Sequence, residues 1–193
     1  MINEMQLVEE PKKTLSMNPK KFMLWLFIAT IVMLFAAMTS AYIVRKVEGN
    51  WLDFQMPSIF VSTTVIILMS SITMQWAYSL VRRDDLKKAK IAIGLTLVIG
   101  LLFLVGQVMG WNALVGTDVY FVGNPAGSFF YVFTGLHSFH LVAGLVFLIV
   151  AFMGIVKYKI HSRNMVTIEM CVTFWHFLGG LWLYLYIFLL LNR

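Results

Sequence analysis

Five long apolar runs separated by short polar breaks set the pattern of this chain, at about residues 22–44, 57–81, 91–114, 128–156 and 166–191. A helix needs about 20 mostly apolar residues to cross the hydrocarbon of a bilayer, and each run meets that length. β-barrel strands would instead show segments of about ten residues with strict in/out alternation. Runs such as WLFIATIVMLF at 25–35 do not alternate. The pattern therefore predicts an all-α, polytopic membrane bundle of five transmembrane helices. Its domains are an N-terminal tail over 1–21, with Pro11 and Pro19, and the five-helix domain over 22–193. The first apolar run is too long for a signal peptide, so it is expected to be retained as a span.

Composition sharpens this picture. Of 193 residues, 60% are apolar and 12% are charged, against about 45–50% and about 25% in soluble domains. Mean hydropathy is +0.83. A soluble enzyme, a disordered tail and a disulfide scaffold are excluded, and the lone Cys171 can neither close an internal disulfide nor build a cysteine metal site. The net charge of +6 is a topology signal rather than a nucleic-acid signal. Twelve of the 15 Lys and Arg fall in the N-terminal tail and the second and fourth breaks, whereas Arg45, Lys46 and Arg193 fall on the other side. Positive charge marks the cytoplasmic side, so the N-terminus is expected inside and the C-terminus outside. Anionic lipid headgroups are the expected partners of that charge, and no nucleic acid is expected.

The breaks are too short to hold a separate domain. The segment 112–127 contains Gly116, Gly123, Asn124, Pro125 and Gly127 but only one charge, Asp118. Such a turn-rich loop is expected to fold back on the bundle or on a partner. No phosphate-binding loop, nucleophile elbow or His-Glu-x-x-His motif occurs. No catalytic, cofactor-binding or metal-binding residue is assigned to this chain.

Chemistry, if any, lies in polar residues at bilayer depth, which are costly there and therefore functional candidates. His137 and His140 share a face of the fourth span, and Glu169, Thr173, His176 and Gly180 share a face of the fifth. His137 and His176 each lie about 15 Å deep, entering from opposite sides. Antiparallel neighbours would bring these two imidazoles together near the bilayer centre. Thr96, Gly100 and Gln107 recur along the third span, which also carries the close-packing pattern Gly106-x-x-x-Gly110. Two readings stand side by side. The histidines could ligate haem or metal, or they could make interhelical hydrogen bonds worth about 0.6–2 kcal/mol each. Trp25, Trp51, Trp76, Tyr78 and Trp111 sit near span ends as interfacial anchors. Trp175, Trp182, Tyr184 and Tyr186 give the fifth span a packed or lipid-lined surface.

Several of these residues fall into a known pattern. FFYVFTGLHSFHLVAG at 129–144 resembles the fourth-helix signature of subunit III of haem-copper terminal oxidases in its five-helix form. FWHFLGGLW at 174–182 is similar to the closing Trp-His-Phe motif of that family. Ala41-Tyr42-Ile43-Val44, Ser70-Ser71-Ile72-Thr73 and Gln107-x-x-x-Trp111 fit its earlier helices, in order, over about residues 20–193. Three positions depart from the pattern. Ile31, Gly110 and Gly179 stand where the family carries carboxylates.

The resemblance implies an accessory subunit without cofactors of its own, packed on a catalytic subunit I, and beside subunit II, that hold haem and copper. The complex would be a proton-pumping oxidase reducing O2 to water, with cytochrome c or a quinol as donor. Structural phospholipids, a place in a respiratory supercomplex and a bacterial inner (cytoplasmic) membrane location follow from the same resemblance. So does a role in sustaining proton uptake and stability of subunit I. Gln107, His137, His140, Glu169, Thr173, Trp175 and His176 would then form an interhelical polar network or line a lipid cleft. Two other expectations remain open: a haem b-binding anchor that carries electrons through His137, His140 and His176, and a lipid-binding scaffold of another complex.

Overall fold

Local capping signals explain where the helices begin. Asn18 accepts a hydrogen bond from the Lys20 amide at 3.0 Å, with Pro19 in the first turn. Asn124 does the same for Ala126 at 2.9 Å, followed by Pro125. Proline fits the first turn because its missing N–H would have no intrahelical partner there. Asp85 accepts from the Lys88 amide at 3.2 Å, and its carboxyl is held below the usual range, first by the Lys88 side chain. The cap it makes is therefore present at neutral pH and lost as pH falls through that lowered value.

The computed structural model describes residues 18–162 and 164–192. Its five helices are α1 (Pro19–Val47), α2 (Ile59–Arg82), α3 (Leu86–Val115), α4 (Pro125–Val156) and α5 (Val166–Leu191). All five are long and apolar enough to cross a membrane. Most of the expected tail, with Lys12 and Lys13, together with Arg163 and Arg193, lies outside the described residues.

Apolar counting located each helix but shortened three of them. α1, α3 and α4 run past the hydrocarbon into turns carrying Arg45 and Lys46, Lys87 and Lys88, and Pro125. Helices of 24–32 residues are about 36–48 Å long, against about 30 Å of hydrocarbon. α2 differs the other way. Pro57 precedes the helix, and its carbonyl accepts the Phe60 amide at 3.1 Å.

α2, α3, α4 and α5 form a closed ring in which each helix touches the next, and α1 packs outside it against α4 and α5 alone. The basic breaks meet at one end. There Ser162 N donates to Asp84 at 3.2 Å, Lys90 lies 5.2 Å from the Tyr158 ring centre, and Lys21 pairs with Glu169. At the opposite end Tyr42 Oη and Lys46 Nζ both donate to the Asn192 carbonyl, at 2.8 and 2.7 Å. Asn124 joins the two connections at that end, accepting from Leu52 N and donating to Asn50 O. The turn-rich loop folds back as expected: Val119 is buried and its carbonyl accepts from Tyr131 Oη at 2.9 Å.

Aromatic rings meeting glycines fill the ring of helices. A Cβ at Gly100 of α3 would lie 2.7 Å from the tip of the Trp175 indole, and one at Gly144 of α4 would strike Leu178. Gly106 and Gly110 of α3 admit Thr63 and Phe60 of α2 in the same way. A rigid indole cannot step aside as a flexible chain can, and overpacking costs about 1–3 kcal/mol. Gly100→Ala should lower the thermal unfolding temperature of the detergent-solubilised protein. Gly135→Ala, at a position with open space, should leave it unchanged.

Candidate functional site

The intramembrane polar groups are organised around indoles and hydroxyls. Trp175 Nε1 of α5 donates to Ser70 Oγ of α2 at 3.1 Å, and Ser70 donates to the Ile67 carbonyl of its own helix at 2.7 Å. Trp182 Nε1 donates to Thr64 Oγ1 at 3.0 Å, and Thr64 donates to the Phe60 carbonyl at 2.7 Å. Trp111 Nε1 of α3 donates to Thr134 Oγ1 of α4 at 3.0 Å, and Thr134 donates to the Phe130 carbonyl at 2.8 Å. A hydroxyl has one donor and two acceptor sites. Each of these hydroxyls bonds back to its own turn and still accepts an N–H from the neighbouring helix. Thr73 and Thr96 join α2 to α3 similarly, at 2.8 Å.

The three histidines of α4 and α5 diverge. His137 is fully buried, with its ring 5.9 Å from Phe103 and 5.1 Å from Trp182. His140 Nδ1 lies 2.7 Å from the Leu136 carbonyl one turn back, and its ring faces Phe27 and Phe35 of α1. His176 lies on the outer surface, 3.2 Å from Oε1 of Gln75 on α2. The expected meeting of His137 and His176 does not occur. Equal depth places two residues at one level but does not set their rotation about the helix axes, and these two point to different neighbours. Among the described residues no three of His, Cys, Asp and Glu gather where they could hold a metal ion.

The remaining candidates divide the same way. Glu169 pairs with Lys21 of α1 at the basic end, in a groove with Leu24, Trp25, Met170 and Thr173. Thr173 donates back to the Glu169 carbonyl at 2.9 Å. Gln107 is fully buried, and neither its amide atoms nor the ring nitrogens of His137 have a hydrogen-bond partner among the described residues. These two therefore stand apart from the interhelical bonds made by Trp175, His176 and Glu169. Thr64, Thr134 and Gln75 escaped the sequence reading. Their partners lie 118, 23 and 101 residues away, and no local pattern marks an acceptor for a distant donor.

The departures from the family carboxylates are filled by packing. Ile31 is 2% exposed among core side chains. The Phe60 ring lies against Gly110, and Gly179 faces Ser71 of α2. No charge is carried at these three positions.

Two expectations follow for detergent-solubilised protein. Thr64→Val keeps the volume but strands the Trp182 N–H, and a buried unpaired donor costs about 1–3 kcal/mol; the unfolding temperature should fall. Gln107→Leu removes a buried amide without partners, and apolar replacement of such a group is neutral or stabilising. Its unfolding temperature should hold or rise, and a fall would mean that the amide is paired in the folded protein.

Comparison with known proteins agrees with this architecture. A family model described as Cytochrome c oxidase subunit III matches residues 8–192. Cytochrome c oxidase subunit 3 of Bacillus sp. (strain PS3) is 27% identical over 182 residues, covering 92% of this chain and 87% of that one. The proteins of the same name from Struthio camelus and Cyprinus carpio are 31% identical over 126 and 127 residues. Each of those matches covers 64% of this chain but only 46% of the relative, so the matched region spans under half the length of the vertebrate proteins. With nearly its whole length matched and the five-helix bundle in place, the chain belongs to the cytochrome c oxidase subunit III family.

Proposed function

We propose that this chain is the accessory subunit III of a proton-pumping haem-copper respiratory oxidase that reduces O2 to water. The family match over residues 8–192 carries the reading. The direction of the histidines supports it: His137 packs on aromatic rings, His140 turns back to its own helix, and His176 faces outward. Three imidazoles aimed at different neighbours suit a scaffold better than a haem pocket. The chain itself contributes no catalytic residue in this reading. Haem and copper reside in a catalytic subunit I, with subunit II beside it, and cytochrome c is the donor.

The basic end of the bundle supports the membrane placement. Lys20, Lys21, Arg82, Arg83, Lys87, Lys88, Lys90, Lys157 and Lys159 all flank that end, as the cytoplasmic side of a bacterial inner membrane requires. The same cations hold anionic phospholipid headgroups. By packing on subunit I the bundle sustains its stability and its proton uptake.

A reduced-minus-oxidised spectrum with a copper assay tests this on the complex isolated in mild detergent. Haem and copper should co-purify with the chain and vanish from it once the subunits are separated. Haem retained by the separated chain would overturn the accessory reading in favour of a haem-binding anchor. Oxidase stripped of the chain should lose activity faster during turnover than the intact complex.

A further inference from the structure

The outer face of α5 carries polarity where a lipid-facing helix should have none. Thr173, His176, Gly180, Tyr184 and Ile187 follow one another at steps of three and four residues, and all are half-buried or exposed. α1 flanks this stripe on one side, through Lys21 to Glu169 and Tyr184 Oη to Thr39 at 3.2 Å. α2 flanks it on the other, through Gln75 to His176 at 3.2 Å. α1 and α2 make no helix contact with each other among the described residues. The stripe is thus the floor of a groove open to the outside of the bundle.

Depth decides what fills that groove. His176 lies ten residues into the 26-residue α5, about 15 Å from its end, where lipid presents only acyl chains. The His176–Gln75 contact uses one ring nitrogen and the carboxamide oxygen. That leaves His176 Nδ1 and the Gln75 NH2 without a further partner among the described residues, on side chains that are half-buried and exposed respectively. Polar groups turned toward hydrocarbon are costly, and a headgroup cannot reach them. One turn on, Gly180 is exposed, and a Cβ there would meet nothing of this chain within 4 Å. A small residue beside a polar pair is how one membrane helix admits another at close range.

We infer that this groove is a docking face for a transmembrane helix of another subunit, one carrying a hydrogen-bonding side chain that meets His176 and Gln75 at mid-membrane and passes closely over Gly180. This rests on the chain being part of a multisubunit membrane complex. The occupant is protein because the exposed groups need hydrogen-bond partners at a depth where lipid has none.

The test uses the complex purified through a tag on this chain. Gly180→Leu fills space that is open within the chain, so its own unfolding temperature stays as before while recovery of the partner subunits drops about tenfold. Gly135→Leu, also at an open position but on α4, leaves recovery unchanged. Independently, Ile187→benzoylphenylalanine gives a photo-adduct with a partner subunit in native membranes. Val146→benzoylphenylalanine on α4, at an exposed position, gives lipid adducts. Undiminished recovery with Gly180→Leu, equal loss in both leucine variants, or lipid adducts alone at position 187 would overturn the docking face. If the unaltered chain brings down no haem- and copper-containing subunit, the accessory reading itself fails, a different result from a misplaced face.

Discussion

The contacts between helices answer to one constraint: a polar group held in hydrocarbon needs a hydrogen bond from protein. That need is met at the indoles and left unmet, among the described residues, at Gln107 and His137. Tryptophan and the small hydroxyl residues meet the constraint as a pair. The hydroxyl discharges its own proton into the carbonyl of the preceding turn, then offers a lone pair to the indole of the next helix. The backbone ladder is left intact, and the large apolar body of the indole fills the space between helices. Ser70, Thr64 and Thr134 repeat this arrangement at α2–α5 and α3–α4. The ring of four helices is therefore pinned at fixed registers by short polar contacts. Between them, packing of aromatic rings on glycine supplies the area.

The number and order of the helices were legible in the sequence because hydrocarbon thickness imposes a length on every span. The ends were less legible. The caps at Asn18, Asp85 and Asn124 lie in water-facing turns that apolar counting ignores. The family was legible in FFYVFTGLHSFHLVAG and FWHFLGGLW, whose residues the structure places around the ring: Trp175 over Gly100, and Phe103 against Trp182 at 5.1 Å.

Rotation about the helix axes was not legible. Spacing put Glu169, Thr173, His176 and Gly180 on one face, but nothing in the sequence said that this face turns outward between α1 and α2. Nor did it say that His137 turns inward, onto Phe103 and Trp182. A helix that is apolar all round gives little sign of which side meets its neighbours. The missing carboxylates have the same character. Their absence was visible at Ile31, Gly110 and Gly179, but only the structure shows the Phe60 ring seated against Gly110.

The placement of α1 bears on how the protein comes into being. It precedes the other four helices along the chain, yet its contacts are with α4 and α5. α2 and α3, joined by the short turn at Arg83–Asp85, can pair as soon as both are inserted. α1 must wait until α4 and α5 have followed it, and Tyr42 and Lys46 gain the Asn192 carbonyl only once residue 192 has been made. The order of residues along the chain is thus not the order in which the bundle closes. α5 carries the ring closure onto α2 and, with α4, the capture of the waiting α1.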